Sequence, residues 1–360
     1  MISPHTIEDV QQAVRQCARI RPRGGGTKTA LSAPREGCEM LDMTGLSGVV
    51  EYNPGEYTFT ALAGTRVAEV QALLAAHGQR LPCDPPLAAA GATLGGTVAS
   101  GLSGPARYRY GGVRDFILGV RFVDGAGRLV HGGGKVVKNA AGFDLPKFMV
   151  GSLGQFGVLV ELTFKVFPRA EAFATISLGC PQLDMAMAAL YRLYTARLEI
   201  EALDLAPEPD GGWRLWARLG GLPEALPARA GHLRDILGGG DRVSAEDEPA
   251  LWQAAVEFAW VPAGWNLVKA PVTPRRISEL EMALKPLQVL RRYSSGGNVA
   301  WLATPAPAAE LGPLLAKLEL PGLVVLGAPG PTGEARIGAR NGQVFEQRIK
   351  SVLDPRNIFK

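Results

Sequence analysis

The sequence predicts an α+β protein in two parts, and three observations predict it. Strand-like and helix-like stretches in residues 1–168 follow one another without the strict alternation of a doubly wound sheet. Residues 169–335 pass through two β-α-β-β-α-β successions, a split βαβ arrangement of the ferredoxin-like kind. Glycine is unevenly spread: residues 1–168 hold 26 of the 45 in the chain, against about 12 at the usual ~7%, and the excess gathers in three clusters.

Taken in order, Thr6 before Glu8 and Asp9 reads as a helix N-cap, and Ile7, Val10, Val14 and Cys17 recur at helical spacing behind it. A short strand leads into the first glycine cluster. Gly48–Tyr52 and Tyr57–Leu62 are apolar and β-branched, joined by a turn at Asn53-Pro54-Gly55. A helix carrying Val67, Val70, Leu73 and Leu74 on one face stops at Gly78. The second cluster comes after Asp84-Pro85-Pro86. A hairpin then runs through Phe116–Val123, a turn at Asp124-Gly125-Ala126-Gly127, and Arg128–His131. A short helix at Leu145–Val150 precedes the third cluster, and Val158, Val160, Leu162, Phe164 and Val166 alternate down a strand that stops at Pro168. Beyond it, strands are expected near Ala174–Gly179, Ile200–Leu205, Trp213–Leu219, Asn266–Ala270, Gln288–Tyr293, Asn298–Ala303 and Leu323–Gly327. Helices are expected near Leu183–Arg197, Pro223–Leu237, Pro249–Trp260, Pro274–Leu284, Pro307–Leu318 and Val344–Leu353. No internal repeat is legible.

At 360 residues the chain is long enough for about two domains with real cores. A composition of 47% hydrophobic and 20% charged residues is that of a soluble globular protein. The formal net charge of +4, with no basic run, does not argue for nucleic acid. Cys17, Cys38, Cys83 and Cys180 are far apart, with no Cys-x-x-Cys pair, so neither an iron–sulfur site nor a structural zinc site is expected and no metal ligand is assigned. Few cysteines in a chain of this size fit a reducing compartment. No basic, then apolar leader is seen at the start, and no run of 18 apolar residues occurs.

The three clusters are Arg23-Gly24-Gly25-Gly26-Thr27-Lys28, then Gly91 to Gly101, then Gly151-Ser152-Leu153-Gly154-Gln155-Phe156-Gly157-Val158. Glycine lets a backbone come close to a ligand and turn its amides toward phosphate oxygens. Three such loops separated by strands and helices suit a long cofactor, and a dinucleotide has that shape. The first cluster is not a P-loop, because Thr27 separates Gly26 from Lys28, and Pro34 precludes the long helix of a Rossmann fingerprint. In the second, Gly95 and Gly96 stand where a helix N-terminus would face a pyrophosphate, with the hydroxyls of Thr97 and Ser100 nearby. In the third, the strand backbone would meet an adenine edge, with Ser152 and Gly154 at ribose or phosphate. Each cluster alone is also readable as a plain turn, a glycine-softened helix or a tight connection.

Together, in this order and spacing, Arg-Gly-Gly-Gly-Thr-Lys, Ala-Thr-Leu-Gly-Gly-Thr-Val-Ala-Ser-Gly and Gly-Ser-Leu-Gly-Gln-Phe-Gly-Val-Leu-Val-Glu resemble the vanillyl-alcohol-oxidase-type FAD-binding domain (the PCMH type). Gly112–Gly119 and Lys138–Leu145 resemble, more narrowly, the FAD-binding accessory subunits of bacterial glycolate oxidases. The likeness is specific over about residues 20–168, weakens after them, and returns at Ile349–Phe359. It implies an FAD-binding domain over 1–168, an α+β cap domain over 169–335, and a segment 336–360 that returns to the first domain. It implies FAD contacts from Gly24, Gly25, Gly26, Thr27 and Lys28, from Thr93, Gly95, Gly96, Thr97, Ser100 and Gly101, and from Gly151, Ser152, Gly154, Gly157 and Val158. Some relatives tether the flavin through a histidine of the first loop; none lies between His5 and His77, so the FAD is expected to be non-covalent.

Members of the family that oxidise 2-hydroxy acids carry histidines in the second domain, whereas this one has only His232, read as a solvated helix residue. His77 and His131 stand at element ends. Tyr108, Arg109, Tyr110, Arg114 and Lys138 are the other polar candidates, and no catalytic residue is assigned. The resemblance implies a flavin subunit of a glycolate-oxidising complex. Its expected partners are a related catalytic flavin subunit, an iron–sulfur subunit and a small 2-hydroxy acid, with any membrane contact made through partners. The expected location is cytoplasmic, or peripheral at the inner membrane through the complex. Two alternatives stand beside it: a self-sufficient FAD oxidoreductase for another 2-hydroxy acid or alcohol, and a structural subunit that has lost FAD.

Overall fold

The first helix, α1 (Ile7–Gln16), begins as its residues demand. The Asp9 amide donates to the Thr6 hydroxyl at 3.1 Å and the Thr6 amide donates to the Asp9 carboxylate at 2.9 Å, a reciprocal cap that satisfies both end amides. In the computed structural model, which describes residues 1–134, 143–330 and 333–359, the chain forms two units. Met1–Ser103, Gly112–Arg169 and the stretch from Arg340 make one; Gly104–Gly111 and Ala170–Ala339 make the other.

In the first unit, β1 (Ile20–Arg23) pairs in parallel with β2 (Glu39–Asp42). Next come β3 (Val49–Asn53), β4 (Thr58–Leu62), α2 (Val67–Ala75), β5 (Gln79–Arg80) and α3 (Leu94–Ser100). After α4 (Arg107–Tyr110), which belongs to the other unit, the chain returns with α5 (Val113–Phe116), β6 (Ile117–Val123), β7 (Leu129–Gly133), α6 (Leu145–Met149), β8 (Val158–Lys165) and β9 (Phe167–Pro168). Five strands form an antiparallel sheet in the order β3-β4-β8-β6-β7, and β5 pairs with β9. Val10 and Val14 of α1, Ile20, Leu41, Val158 and Val160 close into one buried cluster with Ile358 and Phe359. At about 1.5–3 kcal/mol for each large side chain fully withdrawn from water, that cluster is a main stabiliser of the unit.

The second unit keeps the α+β class. Its elements are β10 (Ala172–Cys180), α7 (Leu183–Thr195), β11 (Ile200–Pro207), β12 (Trp213–Gly221), α8 (Leu226–Leu237) and β13 (Asp241–Arg242), then α9 (Asp247–Val256). A second series follows: β14 (Asn266–Pro271), α10 (Ile277–Leu284), β15 (Leu290–Ser294), β16 (Val299–Thr304), α11 (Leu311–Lys317), β17 (Pro321–Leu326) and β18 (Arg336–Gly338). All strands join one sheet, ordered β13-β10-β12-β11-β15-β16-β14-β17-β18. Numbered within each βαββαβ series, that order reads 4-1-3-2 and then 2-3-1-4, so two split βαβ halves meet edge to edge through their second strands. The seam is a single backbone pair, Leu205 with Tyr293. Across it the Arg292 guanidinium Nε donates to Asp204 at 2.7 Å and the Ser294 hydroxyl donates to the same carboxylate at 2.7 Å, all three residues buried. A buried charge needs such a partner.

The last helix, α12 (Gln343–Leu353), carries the chain back into the first unit. Asp354, 1% exposed, accepts from the amides of Ile358 and Phe359 at 2.9 and 3.0 Å and from the Lys350 ammonium at 3.0 Å. Ile20 in turn donates its amide to Ile358 at 2.8 Å. Among the described residues no helix is long and apolar enough to cross a membrane.

Candidate functional site

The strand β1 runs straight into Gly24–Lys28, and the first two glycines there are required by another loop. A methyl on Gly24 would lie 2.1 Å from Thr93 Oγ1, and one on Gly25 only 1.9 Å from the Gly91 carbonyl oxygen. The first two clusters therefore touch through positions that accept no side chain. Gly26 is left-handed, with φ of +69°, and the Lys28 carbonyl accepts from the Leu31 and Ser32 amides, which turns the chain away. Among the described residues, none of the amides of Gly24, Gly25, Gly26 or Thr27 donates to a backbone carbonyl. Lys28 is buried, with its ammonium 3.5 Å from the Thr27 hydroxyl.

The second cluster differs from its sequence reading. Thr93 caps α3, accepting from the Gly96 amide at 3.2 Å, while the Leu94 amide donates to Thr65 at 3.0 Å and the Gly95 amide to Ala63 at 2.7 Å. The N-terminal amides of α3 are thus spent within the protein, and the expectation that they face a pyrophosphate is corrected: the second cluster offers no free N-terminal amide, whereas the first loop does. Gly95 and Gly96 contribute a bare wall.

The third cluster is clamped onto the far end of α3. Gly151 and Leu153 donate their amides to Val98 and Ala99, both at 2.9 Å, and a methyl on left-handed Gly101 would lie 3.1 Å from the Gly151 nitrogen. Gly157 closes the base, since a methyl there would meet Phe122 at 2.6 Å and the Val123 carbonyl at 2.8 Å.

These contacts frame one open cleft in the first unit. Gly24, Gly25, Gly26, Thr27, Lys28, Thr93, Gly95, Gly96, Ser100, Gly154, Gly157 and Val158 line it. Four expected contacts do not: Thr97, Gly101, Gly151 and Ser152 lie in the seam between α3 and the third loop, where the Thr97 and Ser152 hydroxyls are buried without a hydrogen-bond partner. Sequence reasoning missed Pro22, Arg23, Leu31, Ser32, Met43, Ala63, Ala99, Leu153 and Leu159, which complete the lining. Arg23, Ala99 and Leu153 lie inside the three clusters and Ser32 just after the first, so all were within reach of a wider reading; Met43 and Ala63 carry no motif at all.

The lining holds two cations, Arg23 and Lys28, and no acid, histidine, cysteine or tyrosine. Unspent amides and two positive charges suit a dianionic diphosphate, and the donor set fits the phosphate end of a dinucleotide. A side-chain general base is absent from that lining. Tyr110 and Arg109, in the second unit, are committed to acids: the Tyr110 hydroxyl donates to Glu201 at 2.7 Å, and Arg109 pairs with Glu199 and Glu201 at 3.2 and 3.5 Å. Tyr108 packs beside Tyr194, and burial raises the pKa of both phenols. Arg114, His77, His131 and His232 are exposed. Lys138 lies outside the described residues.

Comparison with known proteins agrees with this geometry. A family model described as an FAD binding domain matches residues 1–133. The chain is 33% identical over 358 residues to glycolate oxidase subunit GlcE of Escherichia coli (strain K12), covering 98% of this chain and 94% of that one. It is 30% identical over 207 residues to a D-2-hydroxyglutarate dehydrogenase of Xanthomonas citri pv. viticola, covering 56% of this chain and 43% of the dehydrogenase. Among solved structures, alkyldihydroxyacetonephosphate synthase superposes with a TM-score of 0.73 at 16% identity, over 99% of this chain and 74% of that one, which shows a shared fold.

Proposed function

The chain belongs to the family of FAD-binding glycolate oxidase subunits, and from that premise we propose that it is the accessory flavin subunit of a complex in which a related flavin subunit takes the hydride from glycolate or a similar 2-hydroxy acid. FAD is its cofactor, and a glycolate oxidase subunit implies a multi-subunit complex. The proposed partners are that catalytic flavin subunit and an iron–sulfur subunit that receives the electrons. The observation that carries the proposal is the cleft: segments of all three glycine clusters line it, unspent amides and two cations are present, and no group able to take a proton from a hydroxyl is among its lining residues.

When bound, the flavin supplies two-electron redox chemistry. In the proposed arrangement the amides of Gly24–Thr27 hold the diphosphate, Arg23 and Lys28 offset its charge, and Gly95 and Gly96 leave room for the cofactor along α3. Gly101, Gly151 and Leu153 act by holding the third loop against that helix. Attachment is non-covalent, in keeping with the lack of any histidine between His5 and His77.

The purified chain should show a flavin spectrum and little bleaching when glycolate is added without its partners. Rapid stoichiometric bleaching by glycolate would overturn the division of labour between subunits. A colourless chain that stays apo after reconstitution with FAD would overturn the cofactor site.

A further inference from the structure

The last helix is mounted with its apolar side outward. α12 contains no buried residue. Glu346, Ile349, Lys350 and Leu353, at i, i+3, i+4 and i+7, are its part-covered side chains, and they form the side turned to the first unit. Polar contacts fasten that side. The Lys350 ammonium donates to Asp354 and to the Gln155 carbonyl at 3.0 Å and to the Phe359 carbonyl at 2.9 Å. The Gly125 amide donates to the Leu353 carbonyl at 2.7 Å.

The other side carries Val344, Phe345 and Val352, which are 64, 66 and 69% exposed, with Arg348 exposed among them. Phe345, Arg348 and Val352 stand at i, i+3 and i+7, so they form one stripe, with Val344 beside it. A surface helix ordinarily does the reverse, burying its apolar stripe and leaving the charged one to water. An aromatic ring and an arginine within an apolar patch are what protein interfaces concentrate.

Charge narrows the choice of occupant. Residues 340–360 hold five Lys or Arg against two acids, which is three of the four net positive charges of the whole chain. Lys350 is paired with Asp354, and Arg356 is held by the uncharged carbonyls of Val14, Arg15 and Cys17. Arg348 has no acidic partner among the described residues. A second copy of the chain suits this stripe badly. Two-fold pairing about Arg348, its midpoint, would set one guanidinium against another. A lipid surface suits it little better. The stripe offers three apolar side chains on a helix about 17 Å long, with Gln347 and Ser351 exposed as well, and stable anchoring to a membrane takes more than one weak signal.

We infer, on the reading of this chain as one subunit of a glycolate oxidase complex, that the outer face of α12 docks another protein subunit of that complex. The docked surface offers an apolar pocket to Phe345 and a carboxylate to Arg348.

The test co-expresses the full chain with the other subunits and follows dissociation of the purified assembly on dilution by mass photometry. Phe345→Ser and Arg348→Glu should each raise the concentration at which this chain leaves the assembly at least about tenfold. Arg348→Gln should flatten the dependence of that concentration on salt. Both positions are exposed, so FAD absorbance and melting of the separate chain should match the native protein, which separates lost docking from lost folding. A benzoylphenylalanine photo-crosslinker at position 345 of the otherwise native assembly should capture a different subunit. Capture of a second copy of this chain, or of lipid alone, overturns the docking site. An assembly that dissociates at native concentrations in both Phe345→Ser and Arg348→Glu overturns it too and leaves the proposed function standing. A native chain that joins no assembly sinks the proposed function together with the docking site.

Discussion

Gly25 and Gly96 are both glycines of the cleft, yet the packing around them predicts opposite behaviour. A methyl at position 25 would strike the Gly91 carbonyl at 1.9 Å, a backbone atom that moves only with its loop. Gly25→Ala should therefore cost about 1–3 kcal/mol in urea denaturation and lower FAD affinity at least tenfold, since it parts the two loops that frame the site. A methyl at position 96 meets only its own cap, Thr93 Oγ1, at 3.2 Å. Gly96→Ala should leave stability within about 1 kcal/mol of the native chain, helix propensity favouring alanine, while still weakening FAD by crowding the wall. An unchanged FAD affinity in Gly96→Ala would remove that residue from the binding surface. Lys269 makes a prediction about pH. Its pKa of about 8 in the folded chain lies below the ordinary 10.5, so between those values the unfolded chain holds a proton that the folded chain has lost. Stability contributed by this site should then rise with pH across that window. Urea melts of the native chain and Lys269→Met should converge as pH climbs through it; parallel curves would contradict the buried charge.

Among the elements, the C-terminal return is the most sharply testable. Asp354 gathers two tail amides and one ammonium on a carboxylate withdrawn from water, so Asp354→Ala strands both tail amides and leaves the Lys350 ammonium only the Gln155 and Phe359 carbonyls. The expected loss is about 3–5 kcal/mol, with the tail cut early in limited proteolysis; native-like melting would show that the tail docks by its apolar residues alone. Elements with strong periodicity were legible in the sequence. The Thr6 cap, the alternating Val158–Val166 strand and most strands and helices of the second unit stand within a few residues of where their patterns place them. The missed elements are short or patternless. β13 has two residues and β18 three, too few for alternation to register. β2 is a short edge strand in which Glu39 and Asp42 flank only two apolar residues, Met40 and Leu41.

At the scale of the whole molecule, the paired halves of the second unit were invisible as a sequence repeat, because the fold needs only the order of elements and which face each strand buries. Their junction, one backbone pair braced by the Asp204–Arg292–Ser294 contact, predicts that Asp204→Ala costs about 3–5 kcal/mol and lowers the unfolding midpoint of the second unit first; a loss under about 1 kcal/mol would mean the backbone pair suffices. The cleft was legible in the same partial way. Glycine clusters mark where backbones come close, so the sequence located three loops that do meet. It did not distinguish a glycine that faces a ligand from one that faces another loop, which is why Gly101 and Gly151 were placed at the cofactor although they pack against each other. Nor did it reveal that capping consumes the α3 amides, since that depends on Ala63 and Thr65 arriving from elsewhere in the chain.

The central claim is that the first loop's amides, backed by the other two loops, hold one flavin without a covalent bond. Acid precipitation of the purified native chain, with flavin measured in supernatant and pellet, tests it most directly. One FAD per chain released to the supernatant, and markedly less from Gly25→Ala prepared alongside, is the expected result; flavin retained in the pellet, or equal yields from both proteins, would contradict the claim.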